Sequence, residues 1–87
     1  MNPSLKELCL RLLNRRIIGK KHTPEKKLLL WKTKYLSIKE KKFFENEYKL
    51  FVQKEYILRI KKMTGKQGDW YISINSRFLK EIYEELE

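Results

Sequence analysis

The sequence predicts an α+β domain in which helices come first and a two-stranded hairpin follows. Three observations predict it. Apolar residues recur at helical spacing as far as Lys54, in three separate stretches. Beyond Tyr56 the period falls to two, flanking a loop with two glycines. The chain has 87 residues, 41% hydrophobic and 13% aromatic, which suffices for one modest core, so residues 1–87 read as a single domain.

The first helix is predicted over about residues 3–16. Leu5, Leu8, Cys9, Leu12 and Leu13 form one apolar stripe, which makes Cys9 a small core residue. Asn2 suits the N-cap and Pro3 the first helical position. Gly19 is the expected exit, and Ile17 to Lys21 can form a very short strand. A second helix, about 24–34, starts at His22-Thr23-Pro24-Glu25, with Thr23 as cap and Glu25 complementing the positive helix end. It offers Leu28, Leu29, Trp31 and Tyr35 for burial. Ser37 and Glu40 form a capping box for a third helix from Ile38 to about Lys54, whose apolar face is Phe44, Tyr48, Phe51 and Val52. Only two or three residues, near Leu36-Ser37, separate the second and third helices, the helix-turn-helix arrangement.

Strands are predicted over about 56–63 and 70–75. Leu58, Ile60, Ile72 and Ile74 read as the inner set, alternating with Arg59, Lys61, Tyr71 and Ser73. Thr64 to Asp69 form the hairpin loop. Asn75 or Ser76 caps a final helix through about Glu85. The architecture this predicts is a winged helix-turn-helix: three helices, a two-stranded wing and an extra C-terminal helix.

Charge narrows the function. Lys and Arg number 21 against 11 Asp and Glu, a net +10. Residues 15–66 hold 17 basic and 5 acidic residues, whereas residues 67–87 hold 2 and 5. Such segregation is the electrostatic footprint of a nucleic-acid binder. One cysteine and one histidine leave no disulfide framework and no thiolate metal centre. No phosphate-cradling glycine loop or catalytic pairing appears, so neither an enzyme nor a metal or cofactor is expected. Apolar residues are spaced over Met1 to Leu13, and the longest apolar run is Leu28 to Trp31. A membrane span needs roughly 20 in succession, so a soluble cytoplasmic protein is expected.

Three stretches also carry a resemblance. Lys21-His22-Thr23-Pro24-Glu25 before a leucine-rich helix, Phe51-Val52-Gln53-Lys54-Glu55-Tyr56-Ile57-Leu58, and Ile72-Ser73-Ile74-Asn75 resemble segments of small archaeal winged-helix proteins, in the same order. The likeness covers most of the chain from Arg16 on. It implies a winged-helix fold of a kind assigned to nucleic-acid binding by fold. That family often has glycine where this chain has Glu55, which suggests a different exit from the third helix.

The candidate contacts follow. On the third helix, Lys39, Lys41, Lys42 and Lys49 suit phosphates and Asn46 suits a base edge; the alternative is an ordinary wet helix face. That helix has no arginine, which argues against sharp guanine readout. Arg59, Lys61, Lys62 and Lys66 place cations along the wing, or serve as edge-strand charges that discourage aggregation. Lys20, Lys21 and Lys26 flank the second helix, where backbone N–H groups attract phosphate, or are simply surface lysines. Trp31 and Trp70 read as core or hairpin packing, with base stacking as the alternative. Duplex DNA is the first partner expected, for a transcription regulator or chromatin-type protein. An RNA- or ribosome-associated role and a protein–protein module are the rivals. The last helix offers Phe78, Leu79, Ile82, Tyr83 and Leu86, more apolar surface than docking needs, which raises the expectation of a homodimer through it.

Overall fold

The computed structural model describes residues 1–63 and 68–87. Among these, four α-helices and a three-stranded antiparallel sheet form one α+β unit. Helix α1 spans Pro3–Asn14. Asn2 Oδ1 accepts from the backbone N–H groups of Ser4 (2.8 Å) and Leu5 (3.3 Å), and Pro3 needs no partner there. Its expected stripe, Leu5, Leu8, Cys9, Leu12 and Leu13, is buried. The helix ends two residues earlier than expected, and not at Gly19. Arg16 takes the left-handed conformation (φ 55°), so that its N–H donates to the Leu13 carbonyl and the Ile17 N–H to that of Leu12. This 5→2 and 6→1 pair is a Schellman closure, and Leu12 and Ile17 are both buried.

Strand β1 is Thr23–Pro24, at the sheet edge, where a proline loses no ladder bond. Thr23 pairs with the sheet rather than capping, and helix α2, Glu25–Thr33, starts without a side-chain cap. The short strand expected at Ile17 to Lys21 is reduced to one bridge, Ile18 to Ile74. Residues 34–37 link α2 to α3, Ile38–Gln53, one or two residues more than expected. The capping box is closed: Ser37 Oγ accepts from the Glu40 N–H (3.2 Å) and Glu40 Oε1 from the Ser37 N–H (3.3 Å). Phe44, Tyr48 and Phe51 are buried, with Val52 beside them.

Glu55 does not alter the exit from α3. It adopts the left-handed conformation itself (φ 64°), and the N–H groups of Glu55 and Tyr56 donate to the carbonyls of Val52 and Phe51. This is the same closure that ends α1, with the Tyr56 ring edge-on to Phe51 at 5.4 Å. The Glu55 carbonyl also accepts from Asn75 Nδ2 (2.8 Å), which helps hold the strained residue.

Strands β2, Ile57–Lys62, and β3, Asp69–Ile74, pair antiparallel, in sheet order β1-β3-β2. The register sets Ile57 opposite Ile74, Arg59 opposite Ile72, and Lys61 opposite Trp70. The inner face of β2 is therefore Ile57, Arg59 and Lys61, not Leu58 and Ile60. The pattern was open to this one-residue slip because Ile57, Leu58 and Ile60 are all apolar. The expected hairpin loop lies mostly outside the described residues. Asn75 Oδ1 accepts from the Arg77 N–H (3.1 Å), and a 3-10 turn at Ser76–Phe78 leads into α4, Leu79–Leu86. Ile82 and Leu86 join the core of α1, α3 and the sheet. No helix among the described residues is long and apolar enough to cross a membrane.

Candidate nucleic-acid interface

Helix α3 turns its basic residues outward because its opposite side is spent on the core. With Phe44, Tyr48 and Phe51 inward, a step of about 100° per residue sets Lys42, Asn46, Lys49 and Gln53 on the outer arc, flanked by Lys39. All five are exposed. Lys41 lies to one side of this arc and faces a groove of about 720 Å³ between α2, α3 and the start of β3. Lys26, on the first turn of α2, borders the same groove, as does Lys27. Lys26 and Lys41 thus share one groove, while Lys39 borders a separate depression with Asn2, Pro3 and Phe43, and Lys42, Asn46 and Lys49 lie along the arc between.

The other expected contacts are dispersed. Lys20 and Lys21 sit ahead of β1, on the opposite sheet edge from β2, and Lys21 Nζ reaches the Arg15 carbonyl at 3.5 Å. Lys61 is on the helix-facing side of the wing. Lys62 is on the reverse side, 4.6 Å from the centre of the Tyr71 ring. Lys66 lies outside the described residues.

Arg59 is the main departure. Being on the inner face of β2, it donates from Nε to Glu25 Oε2 (2.7 Å) and from a terminal nitrogen to Glu25 Oε1 (2.9 Å). Tyr48 Oη donates to the same Oε2 (2.6 Å). The Glu25 side chain is 9% exposed and that of Arg59 36%. A buried carboxylate with three donors is the satisfied form of such a group. The bonds to Glu25 hold Arg59 more firmly protonated than an ordinary arginine. Burial, then the bond to Glu25, push the Tyr48 hydroxyl upward. Burial alone pushes the Cys9 thiol up to about 12. The charge of Arg59 is committed inside the fold, which weakens its case as a wing contact. Its guanidinium also covers Trp70, 4.0 Å from the ring centre.

Trp31 corrects another expectation. It is 46% exposed, not core. Arg11 and Lys32 lie 4.3 and 4.4 Å from its ring centre, and Lys32 also pairs with Glu7. Arg11 Nε is buried without a hydrogen-bond partner, so the ring face supplies its compensation. Tyr35, also offered for burial, is 88% exposed. Along α4 and the turn that precedes it, Ile82 and Leu86 are buried, Phe78 and Leu79 pack on the core, and only Tyr83 of the five apolar residues is mostly exposed. The surface expected to drive self-association is thus largely spent within one chain.

Sequence reasoning missed the chain Tyr48–Glu25–Arg59–Trp70. Its one available signal was Ile57, which as an inward strand residue puts Arg59 inward too. Among the described residues no three His, Cys, Asp or Glu side chains gather as a metal site. No family model, curated protein or solved structure matches the chain.

Proposed function

We propose that this protein binds nucleic acid, duplex DNA foremost, chiefly through the outer arc of α3 with the wing lysines as secondary contacts, in the manner of a winged helix-turn-helix. One observation carries the reading. The outer arc of the longest helix is basic and polar, while most of the acidic residues near the C-terminus lie on α4. A solvated surface with no polyanionic partner gains nothing from such separation, and a net +10 on 87 residues works against compaction. The order of helices and the sheet order β1-β3-β2 are compatible with the winged arrangement, in which the third helix enters the major groove. Lysine predominates, so affinity comes chiefly from phosphates and sequence preference is shallow. This suits a chromatin-type protein or a regulator of broad reach.

Replacing Lys39, Lys42 and Lys49 together by Ala tests the reading. These side chains are exposed and outside the core, so the fold persists by circular dichroism. Binding should weaken by a similar factor on duplexes of unrelated sequence, as loss of phosphate contacts does. Unchanged affinity would remove α3 as the docking element. Competition with a structured RNA at fixed salt separates DNA from RNA as the principal partner.

A further inference from the structure

We infer that the groove between α2, α3 and the wing receives an unpaired base of the bound nucleic acid, stacked on Trp70. The inference rests on the nucleic-acid reading above and adds a strand-state preference to it. It begins with the register of the sheet. Ile74 and Ile72 are fully buried on the helix-facing side of β3. Trp70, two residues earlier, shares that side, but the core has ended there. The indole instead borders the open groove and stays 40% exposed.

Trp70 is held rather than loose. The Arg59 guanidinium lies 4.0 Å from its ring centre, and that guanidinium is itself fixed by two hydrogen bonds to the buried Glu25. Glu25 is fixed in turn by the Tyr48 hydroxyl. The planar cation backs the indole, and its position is set by groups anchored in α2 and α3. An aromatic surface ordered in advance loses little freedom when a second ring stacks on it. A structural hairpin tryptophan has no need of a bidentate, carboxylate-locked arginine behind it.

The groove has the chemistry for a nucleotide. Its volume of about 720 Å³ lies in the range of small-ligand sites. Leu29 and Leu30 give it an apolar wall, and Lys26, Lys27 and Lys41 stand where phosphates flanking a base can be met. Glu45 and Asp69 also border it, so its attraction for phosphate is modest and the stack supplies the preference. Lys61, exposed and 5.9 Å from the Trp70 ring centre, adds a further cation at the stack. Base faces are hidden in a duplex but open in a single strand, a frayed end or a loop. Every base has such a face, so the preference is for strand state and not for sequence.

The test uses the full chain and three probes: a short oligothymidylate, an oligouridylate of equal length, and a blunt DNA duplex. In a Trp31→Phe background Trp70 is the sole tryptophan, and its emission should be quenched by the single strands. Trp70→Leu should lose about tenfold in affinity for the single strands and change little on the duplex, whereas Trp70→Phe should retain most of the binding. Comparing the oligothymidylate with the oligouridylate shows whether DNA or RNA supplies the base. Single strands that bind without quenching Trp70 emission, or that fail to bind where the duplex binds, or an equal loss on all probes for Trp70→Leu, overturn the stacking inference alone. No binding to any probe overturns the nucleic-acid reading, and this inference with it.

Discussion

Replacing Arg59 by Met should reveal how much of the fold hangs on the Glu25 node. Methionine keeps an unbranched side chain over Trp70 but removes both donors at 2.7 and 2.9 Å. Among the described residues, the Glu25 carboxylate, 9% exposed, is left with the Tyr48 hydroxyl as its one remaining donor. Two charge-assisted bonds would each be worth about 1.5–3 kcal/mol if fully buried. Arg59 is 36% exposed, so water screens part of that. A loss of about 2–3 kcal/mol at pH 7 remains, less than the 3–5 typical of a deeply buried pair. For a domain of this size that is a large share of the total stability and lowers the melting temperature by roughly 10–20 °C. Urea unfolding at pH 7 measures it. Adding Glu25→Gln to the variant, which removes the stranded charge, should recover about 1 kcal/mol. A variant within about 0.5 kcal/mol of the parent at pH 7, with no recovery in the double variant, would refute the reasoning.

Two further outcomes follow from the left-handed residues and the buried acids. Glu55→Gly should raise stability by up to about 1 kcal/mol, because it relieves the strain of φ 64° while adding some freedom to the unfolded chain; a lower urea midpoint would show that Glu55 has a compensating contact. At high pH the protein should lose stability. Cys9 titrates near 9 when unfolded and only near 12 when folded, and Tyr48 is likewise raised in the fold. Above pH 9 the native state therefore holds protons that the unfolded state has released. Each such group costs about 1.4 kcal/mol per pH unit as pH rises. Urea midpoints between pH 8 and pH 11 measure this, and a flat profile would contradict the burial of both groups.

The elements were legible where a local signal agreed with its tertiary setting. Asn2-Pro3, the Ser37 and Glu40 box, and the stripes of α1 and α3 all act within one or two helical turns, so sequence sufficed. What stayed hidden depends on contacts across the chain. Thr23 has the chemistry of a cap, but β3 offered it a ladder partner. Trp31 has the apolarity of a core residue, yet Arg11 and Lys32 cover it at the surface. Glycine marks helix exits only by preference, and here Arg16 and Glu55 take the left-handed position instead. At the candidate interface, the outer arc of α3 could be read from its period. The fate of Arg59 could not, because a one-residue choice of register decides between solvent and Glu25.

Salt dependence of duplex binding tests the central claim most directly. Each phosphate neutralised contributes roughly 0.9 to the slope of log affinity against log salt. A footprint drawn from Lys26, Lys39, Lys41, Lys42 and Lys49 predicts a slope of about −4 or steeper on a random-sequence duplex, made shallower by roughly 3 when Lys39, Lys42 and Lys49 become Ala. A flat response, or a slope that the triple variant leaves unchanged, would contradict the account.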